Sequence, residues 1–271
     1  MSAALPSPRA AGALVAAGFR RYASYRAATV AGAVTNTFFG VVKLSILLTA
    51  AEAAGGALAG YDRAALSTYT WVAQGMIAVV VMFGGAELAE RVRTGDVAID
   101  LGRPVHPLAA WLAEDVGRAG QACLIRFFGP LAVGGLIYGL SVPQHPATVP
   151  LFLVSAVFAV VVSFCCRLLV NLVAFWLLDV RGVLSVYMVA SNVLSGLIVP
   201  VAFFPGWLQV VAHATPFPAI LQIPVDIAVE RVTGVGALLA LGVQAAWAAG
   251  LLAAALWVLD RGTRRLVVQG G

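Results

Sequence analysis

The stretch Glu90–Pro107, ERVRTGDVAIDLGRPVHP, holds six charged side chains in 18 residues. The chain around it is 61% hydrophobic and 11% charged. Reading this stretch decides the fold, because long apolar runs flank it on both sides. Those runs are either core helices of a soluble protein or helices immersed in lipid. A mean hydropathy of +0.95 lies outside the soluble range and selects lipid. Helices in that setting are apolar nearly all round, since lipid surrounds them instead of water. The polar stretch is then a connection held at one membrane face.

A spanning helix needs about 20 mostly apolar residues. Six runs qualify: Ala27–Ala51, Ser67–Ala89, Ala119–Val142, Val149–Leu172, Val183–Phe203 and Gly234–Leu259. Six spans put both termini on one side. That side collects Arg9, Arg20, Arg21, Arg26, Arg91, Arg93, Arg103, Arg118, Arg181, Arg261, Arg264 and Arg265. The other keeps only Arg63 and Arg231, with the acids Glu52, Asp62, Asp226 and Glu230. The positive-inside bias places both termini and the opening stretch in the cytoplasm. The first weak apolar run gives way at once to SYR without a small-residue cleavage site, so no cleaved signal peptide is expected.

Two segments do not read as simple spans. In LVAAGFRRYASYR, Leu14, Val15, Gly18, Phe19, Tyr22 and Tyr25 share one helical arc, which suits a helix lying in the cytoplasmic interface. Between spans five and six the chain carries Pro200, Pro205, Pro216, Pro218 and Pro224, yet stays apolar. It is too broken for a straight helix and too oily for a solvated loop. Short helices dipping into the outer leaflet fit it, because irregular backbone at membrane depth must be shielded by protein. The expected fold is an all-α integral membrane domain over residues 1–271. It has six transmembrane helices, an N-terminal interfacial helix in residues 1–26, a cytoplasmic element in 90–107 and re-entrant outer helices in 204–233.

Several chemistries are excluded. Lys43 is the only lysine and does not follow a glycine, so a G-x-x-x-x-G-K-[ST] phosphate loop is absent. His106, His145 and His213 lie in separate connections without metal spacing, and Cys123, Cys165 and Cys166 read as small apolar side chains. No serine sits in a nucleophile turn with a companion base. The net charge of +5 reports membrane sidedness, not nucleic-acid binding. No catalytic residues, bound cofactor or metal site is expected.

Ionisable groups within spans are costly and become functional candidates. Arg126 and Arg167 lie toward the cytoplasmic ends of spans three and four, and Lys43 in the outer half of span one. Each either snorkels, pairs with another helix or lines a pathway. Asn36, Gln74, Asn171, Asn192 and Gln244 suit hydrogen bonds between helices, and Gly135-x-x-x-Gly139 suits close helix contact. No acid stands mid-span.

Within the opening stretch, Glu87 and Glu90 prolong span two and Gly95 ends it in a left-handed conformation. Asp96 is placed to cap a very short helix over Val97–Leu101, which Gly102 and Pro104 close. Pro107 starts the next helix, with Leu108, Trp111, Leu112 and Val116 on one face and Glu114 and Arg118 off it. A rigid charged knuckle of this kind suits docking to a soluble partner.

The chain resembles permease subunits of the ATP-binding-cassette type-2 exporter class, and within it a family of paired, viologen-exporter-like permeases. The resemblance rests on TYTWVAQGM (Thr68–Met76), RTGDVAIDLGRPV (Arg93–Val105) and DVGRAG (Asp115–Gly120). It continues through LSGLIVPVAFFPGWL (Leu194–Leu208), PFPAILQIPVDI (Pro216–Ile227) and RRLVVQGG (Arg264–Gly271), in order along nearly the whole chain. It implies a bacterial cytoplasmic-membrane exporter with two ATPase subunits that use ATP and Mg, and a second related permease as heterodimer partner. It also implies that Gly95, Asp96, Asp100, Gly102, Arg103 and Pro104 form the element seated on the ATPase. The substrate class it suggests is hydrophobic or amphipathic cations. A stand-alone ion-coupled secondary transporter is the alternative, disfavoured by the missing mid-span acids and the absence of visible repeats. An intramembrane enzyme or scaffold is disfavoured by the missing catalytic set.

Overall fold

A computed structural model describes residues 4–82, 85–177 and 179–265; the last six residues of the RRLVVQGG match lie outside them. Thirteen α-helices make up the described chain. The first two are α1 (Pro8–Ala23) and α2 (Arg26–Ala53), followed by α3 (Arg63–Val79). Next come two short helices, α4 (Glu87–Thr94) and α5 (Val97–Leu101). Then α6 (Pro107–Ala122) runs through a π-helical turn (Cys123–Phe127) into α7 (Phe128–Tyr138). The long α8 (Thr148–Leu172) and the shorter α9 (Arg181–Leu194) follow. Three short helices, α10 (Gly206–His213), α11 (Phe217–Ile220) and α12 (Gln222–Ala228), lead to α13 (Gly234–Thr263).

Four helices are long and apolar enough to cross a membrane: Arg26–Ala53, Pro107–Tyr138, Thr148–Phe175 and Gly234–Thr263. The two other expected spans take a different form. The run Ser67–Ala89 does not continue as one helix, because α3 stops at Val79 after 17 residues. Every residue of α3 from Leu66 to Val79 is buried, so this helix is the centre of the bundle and is wrapped by protein. The run Val183–Phe203 is helical only to Leu194, then turns through Gly196 at φ +85° into a 3-10 turn at Val201–Phe203. Hydropathy is continuous across both interruptions, so composition could not mark them.

Packing around α3 depends on glycines. A Cβ on Gly134 would lie 2.1 Å from the Trp71 ring, one on Gly40 2.5 Å from the same ring, and one on Gly75 2.6 Å from Phe127. Trp71, fully buried, fills the space that Gly134 and Gly40 leave, and Phe127 fills the one at Gly75. The expected Gly135/Gly139 contact is not the one used. Gly139 ends α7 with φ +74° and faces open space.

The kink before α7 has an assignable cause. Pro130 has no N–H and its ring would crowd the carbonyl of Arg126, four residues earlier. The π turn widens the backbone there, and Phe128 N–H reaches back to the Cys123 carbonyl.

The N-terminal helix follows the predicted arc but not its predicted partner. Ser7 caps α1 through Ala10 N–H, and Pro8 occupies the first turn. Leu14, Val15, Gly18, Phe19 and Tyr22 form its shielded side, while Tyr25 lies beyond the helix and is exposed. That side packs along α6. The contact is close enough that a Cβ on Gly18 would lie 2.1 Å from Glu114 O, and one on Gly117 2.0 Å from Val15 O. Ala4 pairs with Val105, and His106 N–H donates to Ala4 O at 2.9 Å, tying the chain start to the end of the opening stretch.

Candidate functional site

The knuckle adopts the predicted boundaries. Gly95 at φ +85° closes α4, α5 runs from Val97 to Leu101, and Pro107 starts α6. Asp96 does not cap. Its backbone is already helical (φ −60°, ψ −19°), which turns the carboxylate away from the amides of the first turn, and it accepts from Thr94 Oγ1 at 2.8 Å instead.

Asp100 faces inward. Its side chain is 4% exposed, paired with Arg91 at 2.7 Å and Arg103 at 3.5 Å, and it accepts from Trp111 Nε1 at 3.1 Å. Together with fully buried Val97 it pins the short helix to α4 and α6. The surface left outward is Asp96, Ala98, Ile99, Gly102, Arg103 and Pro104, with Ile99 63% exposed. A rigid polar knob with an apolar tip is the shape of a docking element.

Immediately behind the knuckle lies the interruption of the expected second span. Val81 sits at φ +49°, a rare conformation for a β-branched residue, which persists only where surrounding contacts fix it. Two neighbouring helices supply those contacts. From α6, Arg118 donates to the carbonyls of Ala78 at 2.7 Å and Val79 at 2.8 Å, the open C-terminal end of α3. From α8, Ser163 donates to Val80 O. Asn171, also from α8, donates to Gly85 O at 2.5 Å and accepts from Ala89 N–H at 2.9 Å. Broken backbone at membrane depth is tolerated only with such partners.

Asp115 organises the same place. It pairs with Arg118 at 2.7 Å and with Arg167 at 2.9 Å, and all three side chains are at most 12% exposed. The expectation that Arg118 lies on the open side of its helix is therefore overturned, and Val116 is exposed in its stead. Arg167 neither snorkels nor stands alone. Sequence reasoning missed Asp115 and Ser163; the available signal was the i, i+3 pair Asp115/Arg118 inside DVGRAG.

The remaining candidates do not converge on this place. Lys43 turns inward: Nζ donates to Leu197 O at 2.5 Å, where the chain unwinds after α9, and lies 5.4 Å from the centre of the Tyr69 ring. Arg126 lies against Gly32 of α2. Asn192 on α9 has a buried Oδ1 without a hydrogen-bond partner among the described residues.

At the opposite end of the bundle the short helices α11 and α12 pack against α3 and α8. Gln222 accepts from Tyr69 Oη and Val201 N–H and donates to Asp226, which also accepts from Tyr61 Oη at 2.9 Å. Gln244 of α13 bonds Ser155 and Ala219 O, locking α13, α8 and α11 together. Glu230 closes the segment, accepting from Thr148 Oγ1 at 2.5 Å and from the amides of His145 and Gln144.

The Thr148 hydroxyl and the His145 amide hold the Glu230 carboxyl down at about 2, from an ordinary value of 4.5. A depressed folded-state value stabilises above the ordinary value and is lost as pH falls through the folded one. Wild type should therefore lose thermal stability between pH 4.5 and about 2 more steeply than Glu230→Gln. Parallel unfolding midpoints across that range would show that the carboxylate does not anchor this turn.

A buried polar break, an inward-pinned knuckle and four long apolar helices define a multi-pass α-helical membrane protein. Among known families, the model for ABC-2 family transporter protein matches residues 37–270. The chain belongs to that family, and is thereby a transport permease of an ABC system that works with an ATP-binding subunit. Searches of curated proteins and of solved structures returned no match.

Proposed function

We propose that this permease is the membrane half of an ATP-driven exporter in the bacterial cytoplasmic membrane, with six membrane passes and both termini cytoplasmic. In this reading α3 and α9 complete the six passes, and α10 to α12 are the re-entrant outer segment. The ATPase seats on the exposed face of the knuckle at Asp96, Ile99, Gly102, Arg103 and Pro104. Asp100 acts from behind as the residue that holds that face in position, and Gly95 supplies the bend. Two ATPase subunits using ATP and Mg, and a second related permease in a heterodimer, complete the assembly. The substrate class is an amphipathic cation, as the resemblance to viologen-exporter-like permeases implies. The chain itself carries no catalytic residues.

The observation that supports the reading is the mechanical continuity from knuckle to membrane. Asn171 grips the start of α4, and the knuckle hangs from its other end. A push on α5 therefore reaches the hydrogen-bonded break within eight residues. Alternating access needs a bistable element that a partner can bias, and the break fits that role.

Proteoliposomes carrying the permease with its ATPase should move a fluorescent amphipathic dication such as ethidium when ATP is supplied. Collapse of the proton gradient should leave that movement unchanged. Transport by the permease alone, lost with a protonophore, would instead identify a secondary transporter.

A further inference from the structure

Lys43 has no part in the mechanism proposed above, yet a charge at its position is costly. It is the eighteenth of the 28 residues of α2. With a helix of about 42 Å centred on a hydrocarbon layer of about 30 Å, its Cα lies about 10 Å short of the nearer boundary. A four-carbon stem does not cover that distance, so snorkelling does not account for the residue. The ammonium turns inward to a carbonyl, that of Leu197 at 2.5 Å, with the centre of the Tyr69 ring 5.4 Å away.

That carbonyl is free because the chain unwinds there. Helix α9 ends at Leu194, Gly196 takes φ +85°, and Val201–Phe203 form a 3-10 turn. Side chains from three other helices seat the unwound segment. Lys43 of α2 holds Leu197 O, Tyr69 of α3 donates to Gly196 O at 2.8 Å, and Gln222 of α12 accepts from Val201 N–H at 2.9 Å. Of the three, Lys43 alone brings a charge. A charge-assisted hydrogen bond is strong in a dry site and is readily exchanged for hydration in a wet one.

The seat is closed but not fully satisfied. Ser195 Oγ in the segment, and Asn192 Oδ1 three residues earlier, are buried without hydrogen-bond partners among the described residues. Each disfavours the closed arrangement and would be satisfied by water. The ammonium likewise has three donors to satisfy. Entry of water would meet all of these groups together, which makes the segment a two-state element. Helix α9 is free to follow it: Tyr187 and Ser191 are its buried residues, while Val186 and Val189 are exposed.

We propose that Lys43 is a positioning residue for transport, a clasp from α2 that keeps the segment 195–201 closed and releases it when water reaches the ammonium. The proposal rests on the chain being a transport permease, and not on the direction or cargo given above.

Thiol labelling of the permease in nanodiscs tests it, with Cys123, Cys165 and Cys166 replaced by Ala and both faces open to a charged maleimide. Val201→Cys, at a buried position beside the clasp, should react slowly when Lys43 is present. Lys43→Met should raise the rate about tenfold, the scale of one lost charge-assisted hydrogen bond, and Lys43→Arg should restore most of the protection. Ala159→Cys, at a buried position on α8, should stay protected in all three backgrounds. These measurements use no ATPase, so their outcome is separate from the docking proposed at the knuckle. If Lys43→Met does not fold, wild type decides the matter. Lys43 is the only lysine, so lysine acylation of this chain reports the clasp alone. In the co-purified complex with the ATP-binding subunit, ATP turnover should raise that acylation about tenfold. Four results would each overturn the proposal: Val201→Cys labelling that Lys43→Met leaves unchanged, equal rates in Lys43→Met and Lys43→Arg, Ala159→Cys labelling that rises in step, or acylation indifferent to ATP.

Discussion

Replacing Asp115 with Ala should cost the fold about 3–5 kcal/mol, because it strands two buried guanidinium groups. Arg118 and Arg167 are 8% and 12% exposed, so solvent does little to compensate. The thermal midpoint in nanodiscs should fall on the order of 10 °C. Arg118 keeps its bonds to Ala78 O and Val79 O, but Arg167 loses the one ion pair it makes among the described residues. The double variant Asp115→Ala with Arg167→Met should therefore recover roughly half of the loss, since a buried ion pair can be replaced by apolar packing. A midpoint unchanged by Asp115→Ala would mean that the cluster contributes nothing to holding the interrupted span.

The second large effect concerns partner binding. Ile99→Arg should leave the fold intact, because the side chain is 63% exposed and makes no core contact. It should weaken association with the ATPase about 100-fold, the scale of losing an apolar anchor at the centre of an interface. Asp100→Ala should weaken association as well, though indirectly, by freeing Arg91 and Arg103 and loosening α5. The two variants separate by proteolysis: Asp100→Ala exposes the knuckle to cleavage and Ile99→Arg does not.

What could be read from sequence was local. Gly95, Gly102 and Pro107 punctuate the chain in a way that fixes the ends of the knuckle, and the helix Val97–Leu101 follows from those marks. The arc of α1 was legible from its spacing, but an apolar arc does not name its partner, and Gly117 of α6 took the place assigned to lipid. The break after Val79 was hidden because its apolar residues continue the hydropathy of a span. The groups that make the break tolerable, Arg118, Ser163 and Asn171, come from helices 39 to 86 residues away. Arg118 itself misled, since a lone arginine is ordinarily solvated and this one needs Asp115, Ala78 and Val79 to be buried. Lys43 misled in the same way: its inward partner, a carbonyl freed where the chain unwinds after α9, exists only in the folded chain.

The central claim is that the exposed face of the knuckle is where an ATP-binding subunit bears on this permease. A photoactivatable group attached at Ile99→Cys, with Cys123, Cys165 and Cys166 replaced by Ala, tests it directly in the co-purified complex. The account predicts an Ile99 crosslink to the ATPase whose yield changes when ATP is added, and none from Trp207→Cys, a residue 70% exposed at the opposite end. An Ile99 probe that never captures the ATPase, in a complex that still hydrolyses ATP and transports, would contradict it.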